Sequence, residues 1–165
     1  MKPQMPTVEN VVELPALITR SIPPEWEDHN GHVNIQHYME LYCEAGWPMM
    51  AQIGLDENYF KNRRCGFFDL EHHLFYLAEI HVEDHVSVHS RLLGTSPKRF
   101  HGMMFVVNQS RQLLASTLEF ITSGADLTTR RTAIYPDDVA FVLGNLVSKH
   151  ARLTWPAPAC GVMSP

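Results

Sequence analysis

From Ile35 to Gly54 the apolar residues Tyr38, Leu41, Tyr42, Ala45, Met49 and Ile53 recur at three- and four-residue steps. That is the spacing of a helix with one face packed on something flat. Asn34 stands just before it, where its side chain can accept a hydrogen bond from an early helical N–H, and Gly54 ends it. Pro48 lies inside the run and cannot donate to the carbonyl of Glu44, which predicts a kink or a break near Gly46 and Trp47. Nothing else so long is helical. A strand over 17–22, stopped by Pro23-Pro24, precedes the helix, and segments over 66–76, 84–94, 99–108 and 113–123 read as strands after it, with a turn at 108–111. One strand, one long helix and a run of antiparallel strands is an α+β plan in which a sheet wraps the helix.

A chain of 165 residues fits a single domain able to bury an ordinary core. We place it over 17–150, between an arm over 1–16 that carries Pro3, Pro6 and Pro15 and a tail over 151–165 whose prolines predict mobility. Residues 56–64 read as a polar connector with a short helical turn. A second short helix starts at Asp137, where Asp137-Asp138 suit the positive end of the helix dipole. A content of 45% apolar and 19% charged residues is that of a soluble globular protein. No window approaches the ~20 apolar residues of a membrane span. Residues 1–10 lack a secretory h-region, so a cytoplasmic location and no membrane partner are expected.

The net charge of −5 gives no general attraction to nucleic acid. Cys43, Cys65 and Cys160 are odd in number and widely spaced, unlike a disulfide framework or a zinc knuckle. Of ten histidines, His81, His85 and His89 step by four and would share one face of a helix. Their surroundings, with Val86 and Val88 alternating against polar neighbours, read instead as a strand with one wet face. No metal site and no organic cofactor are expected.

The residues with chemistry sit just before the long helix, in Asp28-His29-Asn30-Gly31-His32-Val33-Asn34. Asp before Asn-Gly is ordinary turn chemistry. A turn alone, however, does not call for His32, Asn34, Tyr38 and Glu44 at their spacings. A carboxylate beside a helix start is also apt for acyl transfer, because the first helical amides lack internal partners and carry partial positive charge that can hold an oxyanion. The pattern D-x-x-G-H-V-N-x-x-x-Y-x-x-x-x-x-E resembles the hotdog-fold acyl-CoA thioesterases of the 4-hydroxybenzoyl-CoA thioesterase type. The resemblance implies a single hotdog domain and a homodimer or dimer of dimers acting on acyl-CoA. It implies Asp28 as nucleophile or general base and the backbone N–H of Ile35 as an oxyanion donor, with Asn34 and Glu44 also in the catalytic set. The common family form has Asn where Ile35 stands, so only the backbone role carries over.

Other candidates have a bland reading beside the sharp one. His32 and Tyr38 would line the substrate site, His32 by organising the turn. Glu71 and His73 share a strand face with Asp69 by simple alternation, a face that would ordinarily meet solvent but could line the acyl pocket. Phe68 could join an aromatic pocket, although core packing is the usual fate of such rings. Lys98-Arg99 and Arg130-Arg131 are tight basic pairs, of which Lys98 and Arg99 are assigned to substrate; exposed pairs are mostly just solvated. Glu71-x-His73, the run Lys98 to His101 and the run Ala115 to Glu119 look similar to thioesterases associated with carnitine and betaine breakdown, which implies an acyl group with a quaternary ammonium. A non-catalytic acyl-CoA-binding hotdog protein and a hotdog hydratase or dehydratase are the alternatives. The first would need no activated carboxylate at Asp28, and the second uses D-x-x-x-x-H, whereas His32 follows Asp28 at four.

Overall fold

The computed structural model describes residues 3–55 and 57–165; the side chains of Glu57, Asn58 and Lys61 are outside the description. Asp56, first residue of the expected connector, and Met1 and Lys2 of the arm also lie outside it. The elements in chain order are α1 (Val8–Val11), β1 (Ala16–Ser21), a 3-10 turn (Pro24–Trp26), α2 (Ile35–Gln52), α3 (Glu57–Arg63), β2 (Cys65–Tyr76), β3 (His85–Thr95), β4 (Arg99–Asn108), β5 (Leu113–Asp126), β6 (Arg131–Thr132) and α4 (Asp137–His150). All strand pairs are antiparallel, in the order β1-β3-β4-β5-β2, with β6 against the end of β5. The α+β plan expected from the sequence is therefore the one found.

α2 lies on the inner face of the sheet. Its Tyr38, Leu41, Tyr42, Ala45 and Met49 pack with Val88, Phe100, Met104, Val106, Leu118 and Phe120, and α4 adds Val139 and Leu143 to the same core. Each such large side chain contributes about 1.5–3 kcal/mol on burial. That margin explains why α2 runs unbroken through Pro48, since buried Ala45 and Met49 hold both sides of it. The expected break does not occur.

β5 extends three residues past its expected end, and α4 is a full helix rather than a short one. Gly124 hid the first: a Cβ there would lie 2.7 Å from the carbonyl oxygen of Ala133, so the absent side chain is what lets the returning chain pair with β5. Lys149 stands in the last turn of α4, where a positive group suits the dipole.

The outer face has its own cover. Val11, Leu14 and Trp155 form a second cluster with Met103, Phe105 and Val107. The segment expected as a mobile tail thus contributes a buried ring, and Nη1 of Arg91 donates to the carbonyl of Trp155 at 2.7 Å while its guanidinium lies over the indole. Single apolar residues among prolines carry no periodicity, so composition does not announce this packing.

Register decides the face of each residue on β2. Asp69 pairs with Thr122 but Glu71 pairs with Ile121, so a bulge at Leu70 interrupts the alternation. Phe67, Asp69, His72 and Leu74 consequently face α2, while Phe68, Glu71, His73 and Phe75 face outward. The expectation that Glu71 and His73 share a face with Asp69 is wrong for this reason.

Candidate active site

The segment before α2 is a tight hairpin. The Asp28 amide donates to the carbonyl of His32 and the Gly31 amide to that of Asp28, with Gly31 at φ +81°, a conformation glycine adopts without strain. Val33 then donates to Ile80 and Asn34 to Trp26, locking the hairpin to the loop after β2. Asn34 caps the helix: its Oδ1 accepts from the Gln36 amide at 3.1 Å, and its carbonyl accepts from His37. Among the described residues the Ile35 amide makes no hydrogen bond, and the Ile35 side chain is exposed.

Asp28 Oδ1 accepts the Asn30 amide at 2.7 Å and Oδ2 accepts Asn30 Nδ2 at 3.3 Å. The backbone bond is the main reason its carboxyl titrates below the ordinary aspartate value, with the Asn30 side chain and the nearby His32 and His29 acting the same way against desolvation. His32 Nε2 lies 3.9 Å from Oδ2, and its Nδ1 lies 3.8 Å from Glu79. Only 12% of the Asp28 side chain is accessible, so the anion is sheltered but not sealed.

A cleft of about 260 Å³ opens beside this hairpin, lined by His32, Ile35, Tyr38, Tyr76, Ala78 and Glu79. Tyr38 is buried, donates to the carbonyl of Ala78 at 3.3 Å and meets Tyr76 edge-on. His32, Ile35 and Tyr38 thus line one cleft, with Asp28 behind it against His32 and Asn34 capping the helix start beside it. Sequence reasoning missed Glu79 and Ala78, which follow β2 and carry no motif.

The other expected residues lie elsewhere. Glu44 is two turns along α2 on an exposed face, where its Oε2 takes Nη1 of Arg20 at 2.9 Å. Phe68 lies under the guanidinium of Arg130 on the outward side of β2. Arg99 sits beside Phe68 across Ser123, with Lys98 next to it, and both are exposed. From Phe68 to Tyr76 is eight residues, about 26 Å at the usual strand rise, so within one chain the basic end and the Asp28 end are far apart. His81 and His85 are not buried, whereas His89 is, with Nδ1 donating to Leu14 and Nε2 accepting from Ser87.

A larger pocket of about 390 Å³ lies between the middle of α2 and β2. Trp47, Phe60 and Phe67 line it in edge-to-face pairs, and Asp69 stands at its rim, accepting from Thr122 Oγ1 at 2.7 Å. The sequence signal was available in Phe67 and Trp47, but the bulge that turns Asp69 toward them was not.

Comparison with known proteins fits this geometry. The family model of the thioesterase-like superfamily matches residues 22–143, most of the chain. The chain belongs to that superfamily. It is 38% identical over 78 residues to the betainyl-CoA thioesterase of Pseudomonas aeruginosa, covering 47% of this chain and 49% of that protein. Similarity to the L-carnitine dehydrogenase/betainyl-CoA thioesterase of Ruegeria pomeroyi is 25% over 142 residues, 86% of this chain and 28% of the other. The chain therefore spans at most about half the length of these relatives. A Staphylococcus aureus protein solved in complex with CoA superposes with a TM-score of 0.81 at 23% identity, over 92% of this chain and 96% of that one. The 1,4-dihydroxy-2-naphthoyl-CoA thioesterase of Synechocystis superposes with a TM-score of 0.68 at 16% identity, over 78% and 95%. The fold is the hotdog. No helix among the described residues is long and apolar enough to cross a membrane.

Proposed function

We propose that the protein hydrolyses an acyl-CoA thioester at a site shared between two copies of the chain. The observation that carries this reading is an ionised, hydrogen-bonded Asp28 that stands 3.9 Å from His32, a residue lining the same cleft as Ile35 at the open amide end of α2. A thioester carbonyl placed there would point its oxygen at the Ile35 amide, whose partial positive charge stabilises the tetrahedral oxyanion. Asp28 would attack the carbonyl carbon itself or take a proton from the attacking water; both roles require the anion. Asn34 fixes the first turn, and His32 steadies the carboxylate from one side.

The basic end and the acyl pocket come to this centre from the second copy. β2 is an edge strand, and antiparallel pairing of two β2 strands about a two-fold axis sets the start of one beside the end of the other. Lys98, Arg99, Arg130 and Arg131 of one protomer, gathered around the end of β5, would then meet the CoA phosphates, and the pocket at Trp47, Phe67 and Asp69 would take the acyl group beside the other protomer's Asp28. Aromatic faces with a carboxylate suit a quaternary ammonium, in line with the betainyl-CoA thioesterases among the relatives. Asp69 takes the part that sequence alone gave to Glu71.

Free-thiol release from a panel of short neutral, aromatic and quaternary-ammonium acyl-CoAs tests the reaction. Asp28→Asn, which is isosteric, is expected to lower turnover about a hundredfold while the protein stays folded. Near-normal turnover in the folded variant would remove Asp28 from the mechanism. No thiol release from any substrate, with acyl-CoA still bound, would make the protein a binder instead.

A further inference from the structure

The reading above leaves His73, His101 and Glu119 without a task, although all three belong to the motifs that stood out in the sequence. On the outer face His73 of β2 pairs with Glu119 of β5, and Nε2 of His101 from β4 donates to Glu119 Oε1 at 2.8 Å. Residue 160 then arrives from the other end of the chain, its amide donating to Glu119 Oε2 at 2.7 Å. Glu119 is only 1% exposed. A ring nitrogen of His73, a carboxylate oxygen of Glu119 and the Cys160 sulfur all lie within 4.8 Å of one another.

We propose that His73, Glu119 and Cys160 bind a borderline-soft divalent metal ion of the zinc class, which clamps the C-terminal segment to the sheet. A buried carboxylate satisfied by His101 and one amide accounts for two of the four groups. It does not account for a thiol and a second imidazole converging on the same carboxylate from two other segments. Imidazole, thiolate and carboxylate together suit zinc and not the hard cations calcium or magnesium, which take oxygen ligands. Charge also balances: an ionised Glu119 and a Cys160 thiolate neutralise a dication, the thiol proton leaving to solvent. Donors in a tetrahedral zinc site are about 3.3–3.7 Å apart, so closure needs about an ångström of side-chain movement. His73 and Cys160 are half-buried, which leaves an entry path and a fourth position for water. The His101 N–H orients the ligating carboxylate from behind. His81, His85 and His89, the ligand set weighed and set aside from the sequence, take no part.

Cobalt(II) and zinc added to the chelator-treated full chain test this without any appeal to catalysis. A thiolate-to-cobalt charge-transfer band is expected at one ion per chain, displaced by zinc, weakening as the pH falls because thiol and imidazole must lose protons. Zinc should raise Tm, since it binds only the folded arrangement. Cys160→Ser should abolish the band and the rise in Tm, and His73→Asn should weaken binding at least tenfold. Both side chains are partly exposed, so the variants keep the core, and far-UV circular dichroism verifies that. Absence of the band in the wild type, or zinc affinity unchanged in both variants, would overturn the proposal; the second result would place the ion on other histidines.

Discussion

Asp69 and Glu71 are two residues apart and chemically alike, yet the bulge at Leu70 separates them onto opposite faces of the sheet. Asp69 stands at the rim of the aromatic pocket under α2, whereas Glu71 looks away from it. If the pocket takes a quaternary ammonium, the carboxylate that faces it supplies the counter-charge, and the neighbour on the other face adds only a screened, long-range contribution. Asp69→Asn is therefore expected to lower kcat/KM for a quaternary-ammonium acyl-CoA about tenfold and to leave a short neutral acyl-CoA nearly unchanged. Glu71→Ala should move neither by more than about twofold. A larger selective loss in Glu71→Ala than in Asp69→Asn would return the acyl pocket to the outward face of β2.

At the scale of elements, what was legible was local. Asn34 as cap, the start of α2 at Ile35 and the whole of β4 follow from residues adjacent in sequence, and Asp28 with its hairpin follows from Asn30-Gly31. The bulge at Leu70, the seating of Trp155 and the approach of Cys160 to Glu119 depend on partners far along the chain and leave no periodic trace. The docking of α4 on β3 belongs to the same class. His150 ends the helix buried, its Nδ1 accepting the Leu92 amide at 2.8 Å. Burial first, then the charges of Lys149 and Arg91, push its pKa from 6.5 down to about 4. The folded protein thus keeps His150 neutral where the unfolded chain binds a proton, so this contribution to stability is complete above pH 6.5 and is lost as the pH falls toward about 4. Solvent screening trims the full shift to about 1–3 kcal/mol. His89, buried and also depressed, acts in the same direction. Denaturant midpoints at pH 7 and near pH 5 should fall more steeply for the wild type than for His150→Asn, which keeps an acceptor for Leu92 but not the titration. Equal slopes would show that α4 and β3 do not hold the ring in its neutral form.

For the whole molecule the open question of assembly rests on β2. Its twelve residues form the edge of the sheet and contain no lysine or proline, two of the devices that blunt such an edge; the bulge at Leu70 is a third, and it leaves the run from Glu71 to Tyr76 regular. Leu70 is exposed at its bulge, and Tyr76 and Leu77 are exposed at its end, where both line the cleft that holds Ile35 and Tyr38. A second β2 pairing there would satisfy the free backbone groups, cover those side chains and bring the basic end of one copy to the Asp28 end of the other. We expect a dimer, or a dimer of dimers, by light scattering at micromolar concentration. A double variant, Leu70→Lys with Glu71→Lys, places like charges on the facing edges of both copies, away from the cleft, and should shift the protein toward monomer. Neither residue belongs to the buried core, so the monomer should retain its circular dichroism spectrum. In the proposed shared site each half lacks the other's phosphate-binding and acyl-binding ends, so thioesterase activity should fall with the dimer fraction, and dilution of the wild type should reproduce the loss. A folded monomer with full activity would show that one chain holds the complete site, and the shared-site arrangement would then have to be abandoned.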